Sequence, residues 1–138
     1  MAQYACLDDL QTWLDSYLNF ERLPQKNIFW LDTMQFLCRA FDNPQDAAPA
    51  LHIAGSKGKG SVSAMIASIL DAAGYQTGLY SSPHILDFVE RITSAHGVFA
   101  EPVYHAAADA LQKKIAALPQ SSLPGGRALT WFELVTLY

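Results

Sequence analysis

The chain has 138 residues, room for one ordinary domain with a true core. Apolar residues make up 51% and aromatic residues 12%, which excludes intrinsic disorder, while charged residues reach only 16%. The formal net charge of −4 argues against a protein that holds nucleic acid by bulk positive charge. No apolar run approaches the roughly 18 residues of a membrane span. The N-terminus, MAQYACLDDL, meets two acids before any base and does not read as a signal peptide. Cys6 and Cys38 stand alone, so neither a disulfide framework nor a zinc site is expected. The composition predicts a reduced, cytoplasmic, soluble domain.

In chain order, Leu7, Leu10, Leu14, Tyr17 and Leu18 recur on one face and predict a helix over residues 7–18. Asp8 and Asp9 sit in its first turn, where negative charge suits the helix dipole. Residues 20–29 carry Pro24 and Asn27 and read as a loop, with Phe29 and Trp30 as packing residues. Leu31, Met34, Leu37, Cys38 and Phe41 are in phase over residues 31–41, a second helix stopped by Asn43-Pro44.

The text then changes character. Ala50-Leu51-His52-Ile53-Ala54 is a short apolar run between Pro49 and Gly55, suited to a buried parallel strand with His52 satisfied in the core. Gly55-Ser56-Lys57-Gly58-Lys59-Gly60-Ser61 follows and runs into a helix over 62–73, closed by Gly74. A second strand over 76–80 leads to the loop Ser81-Ser82-Pro83-His84. Strand, glycine-rich turn, helix and strand make one βαβ unit with a right-handed crossover. The fold class predicted is therefore α/β, a P-loop NTPase-like parallel sheet with flanking helices. Residues 90–99 suggest a short hairpin around His96-Gly97, and residues 102–118 a helix opened by Pro102. After a Pro/Ser/Gly loop over 119–127, Thr130 is an N-cap with Glu133 three residues on. Trp131, Phe132, Leu134, Val135, Leu137 and Tyr138 make this last helix apolar on nearly every side, as in one buried all round. It has no C-terminal stop signal, so the sequence reads as cut in mid-helix, the front of a longer protein.

The glycine-rich turn carries the chemistry. Glycines let backbone N–H groups approach phosphates, and the N-terminus of a helix favours negative charge. Lys59 would reach the β- and γ-phosphates of a nucleotide, and the Ser61 hydroxyl a phosphate oxygen or Mg²⁺. From Ala47 through Leu70 there is no acid, so Lys57 and Lys59 form a positive island in an acidic chain. The general pattern GxxxxGK[ST] is varied, with Ile53 at the place of its first glycine and Gly60 between Lys59 and Ser61.

Ala54 through Ser61, AGSKGKGS, resembles the AGTNGKGS loop of folylpolyglutamate synthases and dihydrofolate synthases, within the Mur ligase superfamily. Gly78-Leu79-Tyr80-Ser81-Ser82-Pro83-His84 is similar to their GLYTSPHL, Asp87 through Ile92 to their DFRERI, and Thr130 through Glu133 to their TFFE. Gly60 favours the folate enzymes over the cell-wall ligases, which carry Thr there, while Ser56-Lys57 departs from the family's Thr-Asn and could alter nucleotide affinity.

The resemblance implies an ATP-dependent ligase that joins L-glutamate to folate, or to dihydropteroate, through an acyl phosphate. It implies ATP bound by Gly55, Ser56, Lys57, Gly58, Lys59, Gly60 and Ser61, with Lys59 catalytic. It implies Mg²⁺ held by Ser82 and Glu133, with a third, histidine ligand, a modified lysine and the glutamate site beyond Tyr138. Residues 1–138 would be the N-terminal part of the ATP-binding domain of a full-length monomer, expected to lack ligase turnover alone. No nucleic acid or membrane is expected as a partner. Read from the residues alone, Glu133 favours the capping role, Ser82-Pro83 is a turn, and His84 and His105 are surface or half-buried rather than ligands. Glu90 and Arg91 are either a solvated pair or a brace for the substrate-covering loop. The alternatives are another Mur-type amide ligase, or a nucleotide-binding chain without turnover.

Overall fold

The computed structural model describes residues 7–20 and 31–138. Cys6 and the aromatic stretch with Phe29 and Trp30 lie outside the described residues. The chain divides into two compact units, one formed by Met1–Pro49 with Glu101–Tyr138 and the other by Ala50–Ala100.

The first unit is helical. α1 (Leu7–Asp15) buries Leu7, Leu10 and Leu14, the i, i+3, i+7 stripe that its periodicity predicts. The helix ends before Tyr17 and Leu18, contrary to the expected 7–18 span. Leu18 is 51% exposed because its backbone leaves the helix to bridge Thr130, accepting the Trp131 N–H at 2.9 Å. α2 (Leu31–Ala40) buries Thr33 and Leu37. It ends in a left-handed turn at Asp42 and Asn43, where the Asn43 N–H reaches back to the Cys38 carbonyl at 2.7 Å. α4 (Glu101–Ala117) buries Tyr104, Ala108 and Leu111. α5 (Trp131–Leu137) packs against α1 and α2 with Trp131, Leu134 and Val135. It is not buried all round, since Phe132 remains 43% exposed and Thr136 faces water. Its polar face is made by backbone-directed side chains, with Thr136 Oγ1 donating to the Phe132 carbonyl at 2.8 Å. Polar clasps add to the apolar core. Lys114 Nζ meets Asp42 at 2.7 Å and lies over the Phe41 ring, and Arg127 pairs with Asp32. That Arg127 hydrogen bond holds the Asp32 carboxyl below its usual range.

The second unit holds α3 (Lys59–Ala72) and a two-stranded sheet, β1 (Gly78–Tyr80) with β2 (Ile92–Ser94). The register pairs Gly78 with Ser94, Leu79 with Thr93 and Tyr80 with Ile92, antiparallel. A parallel sheet does not form among the described residues. Residues 50–54 are not a strand, and Leu51 is 67% exposed with His52 also exposed. An apolar run states a preference for burial, but a strand needs a hydrogen-bonded neighbour, and none pairs with this run. The predicted hairpin survives as β2 and a tight turn, in which Ser94 N–H bonds the Gly97 carbonyl at 2.7 Å. α3 begins at Lys59, three residues earlier than its apolar pattern indicates. It ends as expected at Gly74 (φ 88), where the Tyr75 N–H meets the Leu70 carbonyl and the Gly74 N–H meets that of Asp71.

No helix among the described residues is long and apolar enough to cross a membrane.

Candidate functional site

The glycine-rich loop opens α3 directly. Gly58 is the N-cap residue, with φ 74 and ψ 0, a left-handed conformation that costs any residue bearing a Cβ. A Cβ built at Gly58 meets nothing within 4 Å, so the requirement is conformational and not steric. Its carbonyl accepts the Val62 N–H at 3.0 Å. The N–H groups of Lys59, Gly60 and Ser61 therefore precede the first intrahelical bond, and Gly58 has no side chain to cap them. The first turn carries no acid. Lys59 Nζ donates to the Gly55 carbonyl at 2.8 Å, folding the side chain back across the loop. Lys57 and Ser61 are exposed. A positive helix end, uncapped donors and two ammonium groups within one turn can bind a polyphosphate. The surface here is open. A cleft of about 520 Å³ lies instead at the other end of α3, lined by Asp71, Tyr75 and the exposed His96, whose Nε2 is 3.0 Å from Asp71.

The loop after β1 is fixed by its own far end. The Ser81 N–H donates to the Arg91 carbonyl at 2.9 Å, and Ser81 Oγ to the Glu90 carbonyl at 3.3 Å. The Ser82–Pro83 peptide is cis. Ser82 is exposed and, among the described residues, its hydroxyl makes no hydrogen bond. The Glu90 carboxylate collects three consecutive backbone donors, Ile85 N–H at 2.8 Å and those of Leu86 and Asp87 at 3.1 Å each. These bonds, that of Ile85 foremost, hold the Glu90 carboxyl below its usual range. Asp87 returns the favour as N-cap, accepting the Val89 N–H at 3.2 Å, a capping box absent from the sequence reading. Arg91 is 0% exposed, which removes the solvated-pair alternative for it, and its Nε donates to His84 Nδ1 at 2.7 Å. His84 is half-buried, as expected, with its ring edge-on to Phe88.

Glu133 belongs to the helical unit and takes the capping role. Thr130 N–H and Oγ1 both donate to Glu133 Oε2 at 2.8 Å, and the Glu133 N–H returns to Thr130 Oγ1 at 3.3 Å. Its Oε1 has no hydrogen-bond partner among the described residues. No cluster of three His, Cys, Asp or Glu occurs among the described residues. Considered singly as donors to Mg²⁺, Ser82 offers a hydroxyl and Glu133 one carboxylate oxygen. Both are hard oxygen ligands, which fits an ion that keeps most of its shell as water. Ser82 and Glu133 sit on different units. The histidines supply no further ligand set. His52 is exposed, not satisfied in a core, and half-buried His105, as expected, lies 3.5 Å from Glu101 along α4.

No protein-family model matches the chain. The dihydrofolate synthase/folylpolyglutamate synthase of Buchnera aphidicola subsp. Acyrthosiphon pisum is 34% identical over 128 residues, 93% of this chain and 28% of that protein. Mycobacterium tuberculosis folylpolyglutamate synthase complexed with ADP superposes with a TM-score of 0.78 at 27% identity, over 96% of this chain and 28% of that one. A folylpolyglutamate synthase complex with AMPPCP and folate also superposes at 0.78 and 27% identity, over 94% of this chain and 30% of that one. A mixed α/β chain with a glycine-rich loop opening a helix is the class these likenesses define. The chain belongs to the folylpolyglutamate synthase family. It spans less than a third of the length of the relatives named here.

Proposed function

We propose that the chain is the N-terminal part of the ATP-binding domain of a ligase that joins L-glutamate to folate or dihydropteroate. The observation that carries this reading is the loop Gly55–Ser61 at the start of α3, with Gly58 left-handed and Lys59 held across it. The superposed complexes hold ADP, or AMPPCP with folate, and support ATP and a folate as ligands here.

The chemistry follows from what a carboxylate lacks, a leaving group. The carboxylate oxygen of the folate attacks the γ-phosphorus of ATP, the bond to the β-phosphate oxygen breaks, and ADP departs. The amine of glutamate then attacks the acyl phosphate carbon, loses a proton and expels inorganic phosphate. Phosphoryl transfer demands positioning and charge stabilisation above all. Lys59 exchanges the Gly55 carbonyl for a phosphate oxygen, while the N–H groups of Lys59, Gly60 and Ser61 receive the remaining charge. Ser82 and Glu133 Oε1 would hold Mg²⁺, which when bound neutralises phosphate charge and orients the transferred group.

Calorimetric titration with AMPPCP tests the nucleotide site. The chain binds, and Lys59→Ala weakens binding at least about tenfold, the scale of a lost charge-assisted hydrogen bond. Equal affinity in both proteins removes the phosphate loop from this reading.

A further inference from the structure

We propose that Glu90 and Arg91 are positioning residues for the Ser82 hydroxyl, an inference that rests on the nucleotide and Mg²⁺ reading above. Arg91 grips both flanks of Ser82. Its carbonyl accepts the N–H of Ser81, the residue before, at 2.9 Å, and its guanidinium Nε donates to the ring of His84, two residues after, at 2.7 Å. A fully buried guanidinium is costly unless its donors are engaged, so this contact is enforced rather than incidental. The accepting Nδ1 carries no proton in this arrangement, and the ring is further seated against Phe88.

Glu90 fixes the next stretch. Three successive backbone N–H groups, from Ile85, Leu86 and Asp87, converge on its carboxylate. Bonds to an ionised acceptor are about twice as strong as neutral ones. They hold a segment that has little else to order it, since Ile85 and Leu86 are 88% and 90% exposed. The loop is thus tied down at Ser81, His84, Ile85, Leu86 and Asp87. Ser82, between those ties, is exposed and makes no side-chain bond within the described residues. A hydroxyl left free while its neighbours are clamped is the arrangement that presents a weak ligand to a cation without further ordering cost.

The test is AMPPCP affinity measured with and without Mg²⁺ in the wild type, Lys59→Ala, Ser82→Ala, Glu90→Gln and the Ser82→Ala/Glu90→Gln double variant. Ser82→Ala and Glu90→Gln each remove the Mg²⁺-dependent gain, about tenfold, and Glu90→Gln leaves the Mg²⁺-free affinity unchanged. The double variant loses no more than either alone, because both changes act on one contact. A role confined to folding would lower both affinities together. Retention of the full Mg²⁺ gain in Glu90→Gln, or equal loss with and without the ion, overturns the positioning role. If Lys59→Ala binds like the wild type, the nucleotide reading has failed instead and takes the proposal with it. Should circular dichroism show Glu90→Gln unfolded, Glu90→Asp, which keeps the charge on a shorter stem, reads the same gain; an undiminished gain there overturns the proposal.

Discussion

α5 and α3 are both rich in apolar residues, yet they meet opposite fates. In the helical unit Leu134 and Val135 are 0% exposed, enclosed with Leu14 and Leu37, which are equally buried. In the loop-bearing unit only Ala67 of α3 is buried, while Met65 and Ile69 stand 65% and 67% exposed. The difference separates two ways of fixing a shape. The helical unit is held by side-chain packing, where neighbouring helices supply partners for each apolar stripe. The glycine-rich loop and the 81–91 loop are held by backbone chemistry: left-handed glycines, a capping box, and carboxylate and guanidinium groups turned onto the chain itself.

Matched truncations in the two regions attack this contrast most directly. Leu134→Ala is expected to lower stability by about 2–5 kcal/mol, the cost of a cavity in a closed core. Ile69→Ala stays within about 0.5 kcal/mol, as at a surface position. Urea unfolding followed by far-UV circular dichroism, which reports the helices of both units, reads both, and equal losses would erase the distinction. Gly58→Ala comes next, at about 1–2 kcal/mol for forcing a Cβ into the left-handed region. That strain falls on the loop, so AMPPCP affinity drops while the unfolding of the helical unit stays put. A parallel shift in both would show that the loop is held by packing after all.

The smallest effect is that of pH on Glu90. Its folded pKa lies below the ordinary 4.5, so its contribution is complete above that value. It is lost as pH falls through the lower, folded value. The amide resonances of Ile85, Leu86 and Asp87 are expected to move together in that acid window, and to stay still in Glu90→Gln. Movement that persists in Glu90→Gln would assign the transition to another group.

Much of this was legible in the residues. The i, i+3, i+7 stripe of α1, the Thr130–Glu133 box and Gly74 as helix terminator are local signals, and local chemistry realises them. The loop at residues 55–61 was legible for the same reason. Other features were misread or left open. The run at 50–54 looked like a buried strand because sequence reports a residue's preference but not whether a neighbour exists to satisfy it. The brace formed by Glu90 and Arg91 stayed undecided, because a charged pair of adjacent residues says nothing of where each side chain turns. A signal was available even there. Asp87-Phe88-Val89-Glu90 has the cap-to-acid spacing of Thr130 through Glu133, and attention to it would have placed Glu90 on backbone donors.

The resting place of Lys59 bears on how fast a ligand is captured as well as how tightly. A free lysine side chain carries about 2 kcal/mol of rotamer entropy, lost when it is immobilised. By lying against the Gly55 carbonyl, Lys59 has given up part of that freedom before any anion arrives. In the proposed nucleotide site, an incoming phosphate would have only to take the place of a neutral oxygen at the same ammonium, a short swap and not a search through conformers. The loop waits in a spring-set posture, and its own backbone oxygen is the placeholder.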